Sequence, residues 1–407
     1  MRVPTLSCLV EAAVASALFA NLAAAQDKYS TWMASSIMSR SQGIMTGKGG
    51  SSELLQAGIT QRAFSALVAQ YPSDDLTSSI QDYVQKSAVS VAPFTLNASY
   101  DALSYPLDRL STGNAMLALY SPSDASTSSF RAAADALRQS IDLNRRNPEG
   151  GLWYFVYPQW SYLDGMYSLA PFYTLYATDA AVAGSANATA ALDDMDFQLD
   201  LLWARTRNTT TGLLVHGYDA SKTAVWADAA TGASPHVWGR SLGWYTVALV
   251  ETLEALPESA CKYRGKILDK FRSLAGALVE AVDPVTGGWW QVLDAPGKER
   301  NYIESSGSAM FAYALLKGSR LGYLGSNTTL ATKAAEVGVR GHGYLTQTFV
   351  VRETNGTLGY NGTVSVCSLN STASYEYYVG QPINYNSVLG SAAYVLASLE
   401  VERLEIS

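Results

Sequence analysis

Apolar residues recur every three or four positions over much of the chain, which is the spacing of one face of an α-helix. Segment 242–256 is the clearest example. Its main apolar face consists of Leu242, Tyr245, Leu249, Thr252, Leu253 and Leu256. Val247 and Val250 add apolar surface elsewhere. The pattern therefore predicts a helix that is buried on more than one side and is ended by Pro257.

Similar patterns recur along the chain, each after a loop that contains Gly, Ser or Pro together with aromatic or acidic residues. They predict helices at Leu110–Tyr120, Ser128–Leu143, Met166–Tyr176, Ser308–Leu321 and Val388–Arg403. Strand-like alternation is confined to Gly288–Leu293 and Val364–Cys367. The pattern as a whole predicts an all-α protein built from helix hairpins. The candidate catalytic and binding residues lie in the loops that precede helices.

Two arrangements of these hairpins are compatible with the pattern. One is a closed toroid of inner and outer helices, and the other is an open solenoid. A solenoid repeats at a fixed sequence period. The glycines that mark helix starts are unevenly spaced, at Gly113, Gly165, Gly243, Gly307 and Gly390. We therefore favour the toroid. Since no Pro/Gly/Ser linker divides the chain, we expect a single catalytic domain over residues 26–407.

Composition and net charge exclude some classes of function. The chain has 407 residues and a formal net charge of -7, with Lys and Arg scattered, so we expect no nucleic-acid partner. With three histidines and no CxxC or HExxH motif, we expect neither a metal site nor another cofactor. Cys261 and Cys367 could pair or remain free thiols. We expect a monomer.

The N-terminus resembles a secretory signal peptide over residues 1–25. Arg2 precedes an apolar run, Leu9–Leu22, and three alanines end before Gln26. The run is short and interrupted by Glu11, which disfavours a membrane anchor. Seven Asn-x-Ser/Thr sequons agree with secretion, at Asn97, Asn187, Asn208, Asn327, Asn355, Asn361 and Asn370. We expect a secreted, extracellular eukaryotic protein with no membrane partner.

The run from Trp153 to Tyr173 places one carboxyl group, Asp164, among aromatic and apolar residues. Apolar surroundings disfavour a charged acid and raise its pKa, which suits a general acid. Aromatic rings also offer flat faces to sugars. The alternative is that Asp164 simply caps the helix that follows.

Three further residues belong to candidate motifs. Asp108 also precedes a helix, and two carboxyl groups at one rim suit acid–base work on a sugar. Its alternatives are a helix cap or a local pair with Arg109. His216, beside a glycine, could reach a ligand or be a structural turn residue. Glu304 is expected to be a cap or a rim hydrogen-bonding residue.

The segment Pro235–Tyr245 combines a fixed cation with stacking faces. The guanidinium of Arg240 suits a carboxylate, Trp238 and Trp244 flank it, and a helix N-terminus lies close by. Together they would receive an acidic sugar. The alternative is that Arg240 pairs with a structural acid while both tryptophans pack in the core.

Three ordered motifs, Tyr157–Tyr173, Trp238–Tyr245 and Glu304–Tyr313, resemble the unsaturated rhamnogalacturonyl hydrolases of glycoside hydrolase family 105, which are related to the unsaturated glucuronyl hydrolases. The likeness runs from about residue 30 to the C-terminus. It implies an (α/α)6 barrel. It also implies hydrolysis of oligosaccharides that carry a 4,5-unsaturated uronic acid at the non-reducing end.

The resemblance also assigns roles. It implies that Asp164 is the general acid and base, that Asp108 is the second acidic residue, and that the substrate contacts are His216, Trp238, Arg240 and Trp244. The aromatic run adds further candidate contacts at Trp153, Tyr154, Tyr157 and Trp160, and the last loop adds Asn386. Trp153 and Tyr154 stand where we expect a His-Lys pair in the bacterial enzymes. Because the cation is missing, the resemblance does not identify the aglycone sugar.

The same residues are compatible with two other functions. The first is a conventional inverting or retaining glycosidase on saturated sugars, with Asp108 and Asp164 as its carboxyl pair. The second is a protein that binds acidic sugars without turnover. The partner expected from the resemblance is an acidic unsaturated oligosaccharide.

Overall fold

The computed structural model describes residues 28–48, 50, 52–99, 107–325 and 328–406; the predicted signal peptide and Asn327 lie outside this part of the chain. Its α-helices are, in chain order, α1 (Tyr29–Ser39), α2 (Glu53–Gln70), α3 (Thr77–Thr95), α4 (Gly113–Leu119), α5 (Ser128–Leu143), α6 (Gly165–Thr178), α7 (Ala186–Thr206), α8 (Gly239–Ala255), α9 (Cys261–Ala281), α10 (Ser305–Arg320), α11 (Thr329–Phe349), α12 (Tyr375–Val379) and α13 (Val388–Ile406). A 3-10 helix, Leu107–Thr112, leads into α4.

Six of these helices form a closed inner ring. Helices α2, α4 with its 3-10 extension, α6, α8, α10 and α13 each contact the next, and α13 returns to α2. Each inner helix packs against one outer helix, in the pairs α2–α3, α4–α5, α6–α7, α8–α9, α10–α11 and α13–α1. The fold is therefore an (α/α)6 barrel, as predicted. Since the ring closes, the open solenoid is excluded.

Several predicted helix bounds agree closely with the structure. Helix α5 coincides with the predicted Ser128–Leu143, and α8 ends at Ala255, two residues before Pro257. The predicted helix Leu110–Tyr120 begins instead as the 3-10 turn that contains Asp108. Of the outer helices, α5 alone belongs to the predicted set. It has a strongly one-sided apolar face, with Phe130, Leu137 and Ile141 buried.

Strands are few and short in the described part of the chain. Strand β1 (Trp160–Tyr162) pairs antiparallel with β2 (Gly217–Asp219), and β3 (Val350–Arg352) pairs with β4 (Leu358–Tyr360). The two predicted strand-like pieces form single bridges instead. These bridges join Trp238 to Val292, Trp290 to Ile303 and Val364 to Ile383. Each piece therefore forms isolated bridges rather than a continuous ladder.

The N-termini of the inner helices come together at one end of the barrel. At Gly307, a Cβ atom would lie 2.9 Å from the carbonyl carbon of Gly239, so this close approach of α8 and α10 requires glycine. Glu304 caps α10 by accepting a hydrogen bond from the backbone N–H of Gly307, which confirms the predicted cap. The described helices include none that combines the length and apolarity needed to cross a bilayer.

Candidate active site

A cavity of about 140 Å³ opens at the end of the barrel where the inner helices begin. Its wall is formed by Ser52, Leu55, Asp108, Tyr154, Phe155, Tyr157, Tyr162, Asp164, Trp238, Arg240, Trp244, Val366, Cys367, Ser368 and Leu389. Five of the six inner helices contribute through residues in or near their first turns. Because a helix N-terminus carries a partial positive charge, this end of the barrel favours an anionic ligand.

A larger cavity of about 280 Å³ lies toward the opposite end of the ring. Its charged side chains are Arg62, Glu251 and Glu254, and Arg62 donates hydrogen bonds to both glutamates. These charges are already paired with one another. We therefore place the active site at the smaller cavity, where both candidate carboxyl groups lie.

Asp164 precedes helix α6, yet its side chain makes no capping hydrogen bond. Its Oδ2 instead accepts a hydrogen bond from the hydroxyl of Ser241, at the start of α8. The residue is 6% exposed and lies on the cavity wall. The capping alternative is therefore excluded, and the carboxyl group is free to act on a molecule in the cavity.

Asp108, the second carboxyl group of the cavity, is also buried. Its Oδ2 accepts a hydrogen bond of 2.7 Å from the hydroxyl of Tyr154, and its buried Oδ1 has no partner among the described residues. Burial raises the pKa of Asp108 from 3.8 to about 7; the Tyr154 bond lowers it, and the negative charge of Asp164 raises it. Near neutral pH this carboxyl group is therefore about half protonated. Arg109 donates a hydrogen bond to Ser140, and its charge lowers the pKa of Asp108.

His216 stands behind Asp164 and is fully buried. The β1–β2 pairing brings it there, since the N–H of Leu163 donates to the carbonyl of His216. Its Nε2 lies 3.2 Å from Oδ2 of Asp164 but is not aligned as a hydrogen bond, while Nδ1 lies 2.8 Å from the hydroxyl of Tyr378. His216 is thus positioned to act on Asp164.

Arg240 uses much of its guanidinium on the protein itself. It donates to the carbonyl of Val364 and, over 2.7 Å, to that of Ser365, and it stacks 4.7 Å from the ring centre of Trp238. These bonds hold the loop that carries Val366, Cys367 and Ser368 into the cavity wall. Its positive charge still lies beside the cavity. Glu304, whose Oε1 is 3.9 Å away, is its nearest anion among the described residues.

The remaining predicted contacts divide into two groups. Trp238, Trp244, Tyr154 and Tyr157 line the cavity, as do Phe155 and Tyr162, which were not predicted. The described cavity wall does not include Trp153, Trp160 or Asn386. Trp153 packs under the guanidinium of Arg145, and Trp160 packs between Tyr157 and Trp226. Asn386 has a positive φ and accepts a hydrogen bond from the N–H of Tyr360.

Cys367 is a buried free thiol in the cavity wall, whereas Cys261 is exposed and also free. Burial raises the pKa of Cys367 to about 12, so it carries no charge at neutral pH. Within the part of the chain that the structure describes, no three His, Cys, Asp or Glu side chains form a group that could hold a metal ion. The chemistry of the cavity therefore centres on Asp164, Asp108 and His216.

The sequence as a whole agrees with this geometry. The model of Glycosyl Hydrolase Family 88 matches residues 19–405. The chain belongs to this family. A family 105 glycoside hydrolase from Clostridium acetobutylicum has 30% identity and a TM-score of 0.79, with 93% of this chain and all of that one covered. The resemblance to the family 105 hydrolases is thus confirmed, and the chain is a glycoside hydrolase.

Two further proteins are similar to this chain, one in fold and one in sequence. An unsaturated glucuronyl hydrolase from Bacillus sp. GL1 shares the fold, with a TM-score of 0.62 at 14% identity over 93% of this chain and 95% of that one. Protein Atu3128 from Agrobacterium fabrum is 34% identical over 195 residues, which is 46% of this chain and 82% of that protein.

Proposed function

We propose that this glycoside hydrolase removes a 4,5-unsaturated uronic acid from the non-reducing end of oligosaccharides released by polysaccharide lyases. The observation that carries the proposal is the pair Asp164 and Asp108 in one aromatic cavity beside the cation of Arg240. The inner-helix N-termini add positive potential. An anionic sugar ring with an electron-rich double bond matches this combination of a cation, acid groups and flat apolar walls.

The proposed reaction is the addition of water across the C4–C5 double bond. Asp164 delivers a proton to C4, and positive charge develops at C5, which the ring oxygen shares. Water attacks C5 while the ionised Asp164 takes up its proton. The resulting hemiketal opens at the bond between C5 and the ring oxygen to give a ketone, and the hemiacetal left at C1 breaks down to an aldehyde and releases the aglycone as an alcohol. One water molecule is consumed for each bond that is cleaved, and Asp164 ends protonated, as it began.

The protonation of Asp108 suits an anionic substrate. Since Asp108 has a pKa of about 7, it holds a proton for about half of the time near neutral pH. A substrate carboxylate adds negative charge to the cavity and favours that protonated state. Ser241 and His216 lie against Oδ2 of Asp164 and keep the carboxyl group oriented. Asp108 would bind sugar hydroxyls and stabilise positive charge at the ring.

Absorbance at the ultraviolet band of the conjugated double bond tests the proposal directly, because only hydration of the unsaturated sugar removes it. A panel of lyase-generated oligosaccharides from rhamnogalacturonan and from glucuronic-acid-bearing glycans serves as substrate. We expect Asp164→Asn to lower turnover by about 10²–10⁴-fold. Asp142→Asn, at an exposed position on α5, is the control and should retain turnover. Near-normal turnover by Asp164→Asn, or cleavage of saturated glycosides alone, would refute the assignment.

We also propose that the protein is a secreted, glycosylated monomer. The six described sequon asparagines are all exposed, namely Asn97, Asn187, Asn208, Asn355, Asn361 and Asn370. Expression in a eukaryotic host tests this. We expect the product in the medium, with a mass that falls on treatment with an endoglycosidase and a light-scattering mass of one chain. Retention inside the cell without glycans would contradict it.

A further inference from the structure

We propose that Tyr378 is a positioning residue for Asp164 and acts through His216. The inference rests on the proposed function, because it concerns the proton chemistry of Asp164. The side chain of His216 contacts Tyr378 on one side and Asp164 on the other. The hydroxyl of Tyr378 lies 2.8 Å from Nδ1 of His216, and Nε2 of His216 lies 3.2 Å from Oδ2 of Asp164. Tyr378 comes from helix α12, 162 residues beyond His216.

The direction of the hydrogen bonds follows from the chemistry of the two ends. A carboxylate oxygen only accepts hydrogen bonds, so a proton on Nε2 gives the favourable contact with Asp164. The neutral ring then has a lone pair on Nδ1. Burial raises the pKa of Tyr378 well above 10, so its hydroxyl keeps its proton and can donate to that lone pair. Tyr378 thereby selects the tautomer of His216 that faces Asp164.

The surroundings hold Tyr378 in this position. Its side chain is fully buried, and its ring stacks on Trp238 with an interplanar angle of 28°. Gln291 donates to the backbone carbonyl of Tyr378 over 3.1 Å and accepts from the indole N–H of Trp238. The hydroxyl is therefore positioned by contacts with Trp238 and Gln291 as well as by the ring of His216. This arrangement is expected of a residue that orients its neighbour.

The Nε2–Asp164 contact is close enough for a hydrogen bond, at 3.2 Å, but is not aligned as one. Catalytic hydrogen bonds are often long or poorly aligned in a free enzyme and tighten in the substrate complex. In the other tautomer, the Nε2 lone pair would face the carboxylate oxygen at a buried position, and the ionised Asp164 that must activate water would be destabilised. The hydroxyl of Tyr378 should therefore affect turnover more than substrate binding.

Tyr378→Phe keeps the ring and removes the hydroxyl. We expect kcat to fall about tenfold, which is the loss of one buried hydrogen bond, with KM nearly unchanged. Tyr245→Phe is the matched control. Tyr245 is also fully buried, but its hydroxyl donates to the carbonyl of Leu199, between α8 and α7. It should lose comparable stability and keep its kcat.

Nitrogen NMR of histidine-labelled protein tests the inference without any substrate. The chain has three histidines, and His216→Gln assigns the resonance. We expect His216 in the neutral form protonated at Nε2, and a mixture of tautomers in Tyr378→Phe. A wild-type His216 protonated at Nδ1 or at both nitrogens would overturn the inference, as would an unchanged kcat in Tyr378→Phe. The expected tautomers together with a wild-type enzyme inert on every unsaturated oligosaccharide would refute the proposed function instead.

Discussion

Replacing Asp108 with Asn should make the protein more stable while it loses activity. Asp108 is 4% exposed and one of its carboxyl oxygens has no hydrogen-bond partner in the described structure. Its pKa of about 7 in the folded protein compares with 3.8 as the ordinary value. Because the folded state binds the proton more tightly than the unfolded state, stability decreases as the pH rises between these two values and stays lower above them.

The magnitude follows from the two pKa values. A rise from 3.8 to about 7 corresponds to about 4 kcal/mol in the free energy of unfolding. Asn keeps the shape and can still accept the hydrogen bond from Tyr154, but it carries no charge. Asp108→Asn should therefore recover up to about 4 kcal/mol at pH 8 and almost nothing at pH 4. In a chain of this size that is an increase in melting temperature of about 2–5 °C.

Calorimetric melting at pH 4, 6 and 8 measures the difference in melting temperature between Asp108→Asn and the wild type. Asp219→Asn is the control. Burial raises the pKa of Asp219, but hydrogen bonds from Ser221 and from backbone amides lower it overall. Asp219→Asn should therefore destabilise the protein at pH 8, by an amount that shrinks toward acid. If Asp108→Asn melts at or below the wild-type temperature at pH 8, or if its difference from the wild type is the same at all three pH values, the burial argument is wrong.

Two further predictions concern hydroxyl and charge partners. Tyr154→Phe removes the hydrogen bond that lowers the pKa of Asp108, so the limb of kcat/KM that reports Asp108 should move up by about one pH unit. Tyr157→Phe, on the same wall, should leave the limb in place, and a downward move in Tyr154→Phe would contradict the assignment. Glu251→Gln removes the anion that accepts hydrogen bonds from Arg62 and Lys317, and chemical denaturation at pH 7 should show a loss of about 3–5 kcal/mol. Burial raises the pKa of Glu251, but both cations lower it overall, so this loss should shrink as the pH falls below about 4.5. Glu254→Gln, with a side chain 47% exposed, should lose less than about 1 kcal/mol; equal losses in the two variants would refute the role of burial.

The sequence allowed five of the six inner helices and both carboxyl groups to be predicted because these features are local. Asp108 and Asp164 each immediately precede or begin a helix, in a stretch of distinctive aromatic composition. Most outer helices escaped prediction. Helix α2, on the inner ring, was also missed; it is buried on nearly every side, from Leu54 to Leu67, and so lacks a one-sided apolar face. Periodicity identifies a helix by the contrast between its faces, and that contrast is weak when both faces are covered.

The contacts of the site could not be predicted from the sequence, because they join distant segments. Arg240 donates to carbonyl groups 124 and 125 residues further along the chain. Backbone carbonyls occur at every residue and leave no compositional trace. Ser241 lies within a motif that was recognised, but a serine beside an arginine has no distinguishing chemistry until the fold places it against Asp164. The same holds for Tyr378, which is one of 25 tyrosines in the chain.

The different environments of the two carboxyl groups follow from these distant contacts rather than from their own helices. Both residues lie where an inner helix begins, and both are almost fully buried. Asp164 receives the hydroxyl of Ser241 from α8, and His216 comes from the strand β2 side. Among the described residues, Asp108 receives a single hydroxyl, from Tyr154, and its other carboxyl oxygen has no partner. Adding a second hydrogen-bond donor beside Asp108 should therefore lower its pKa, although its helix would not change.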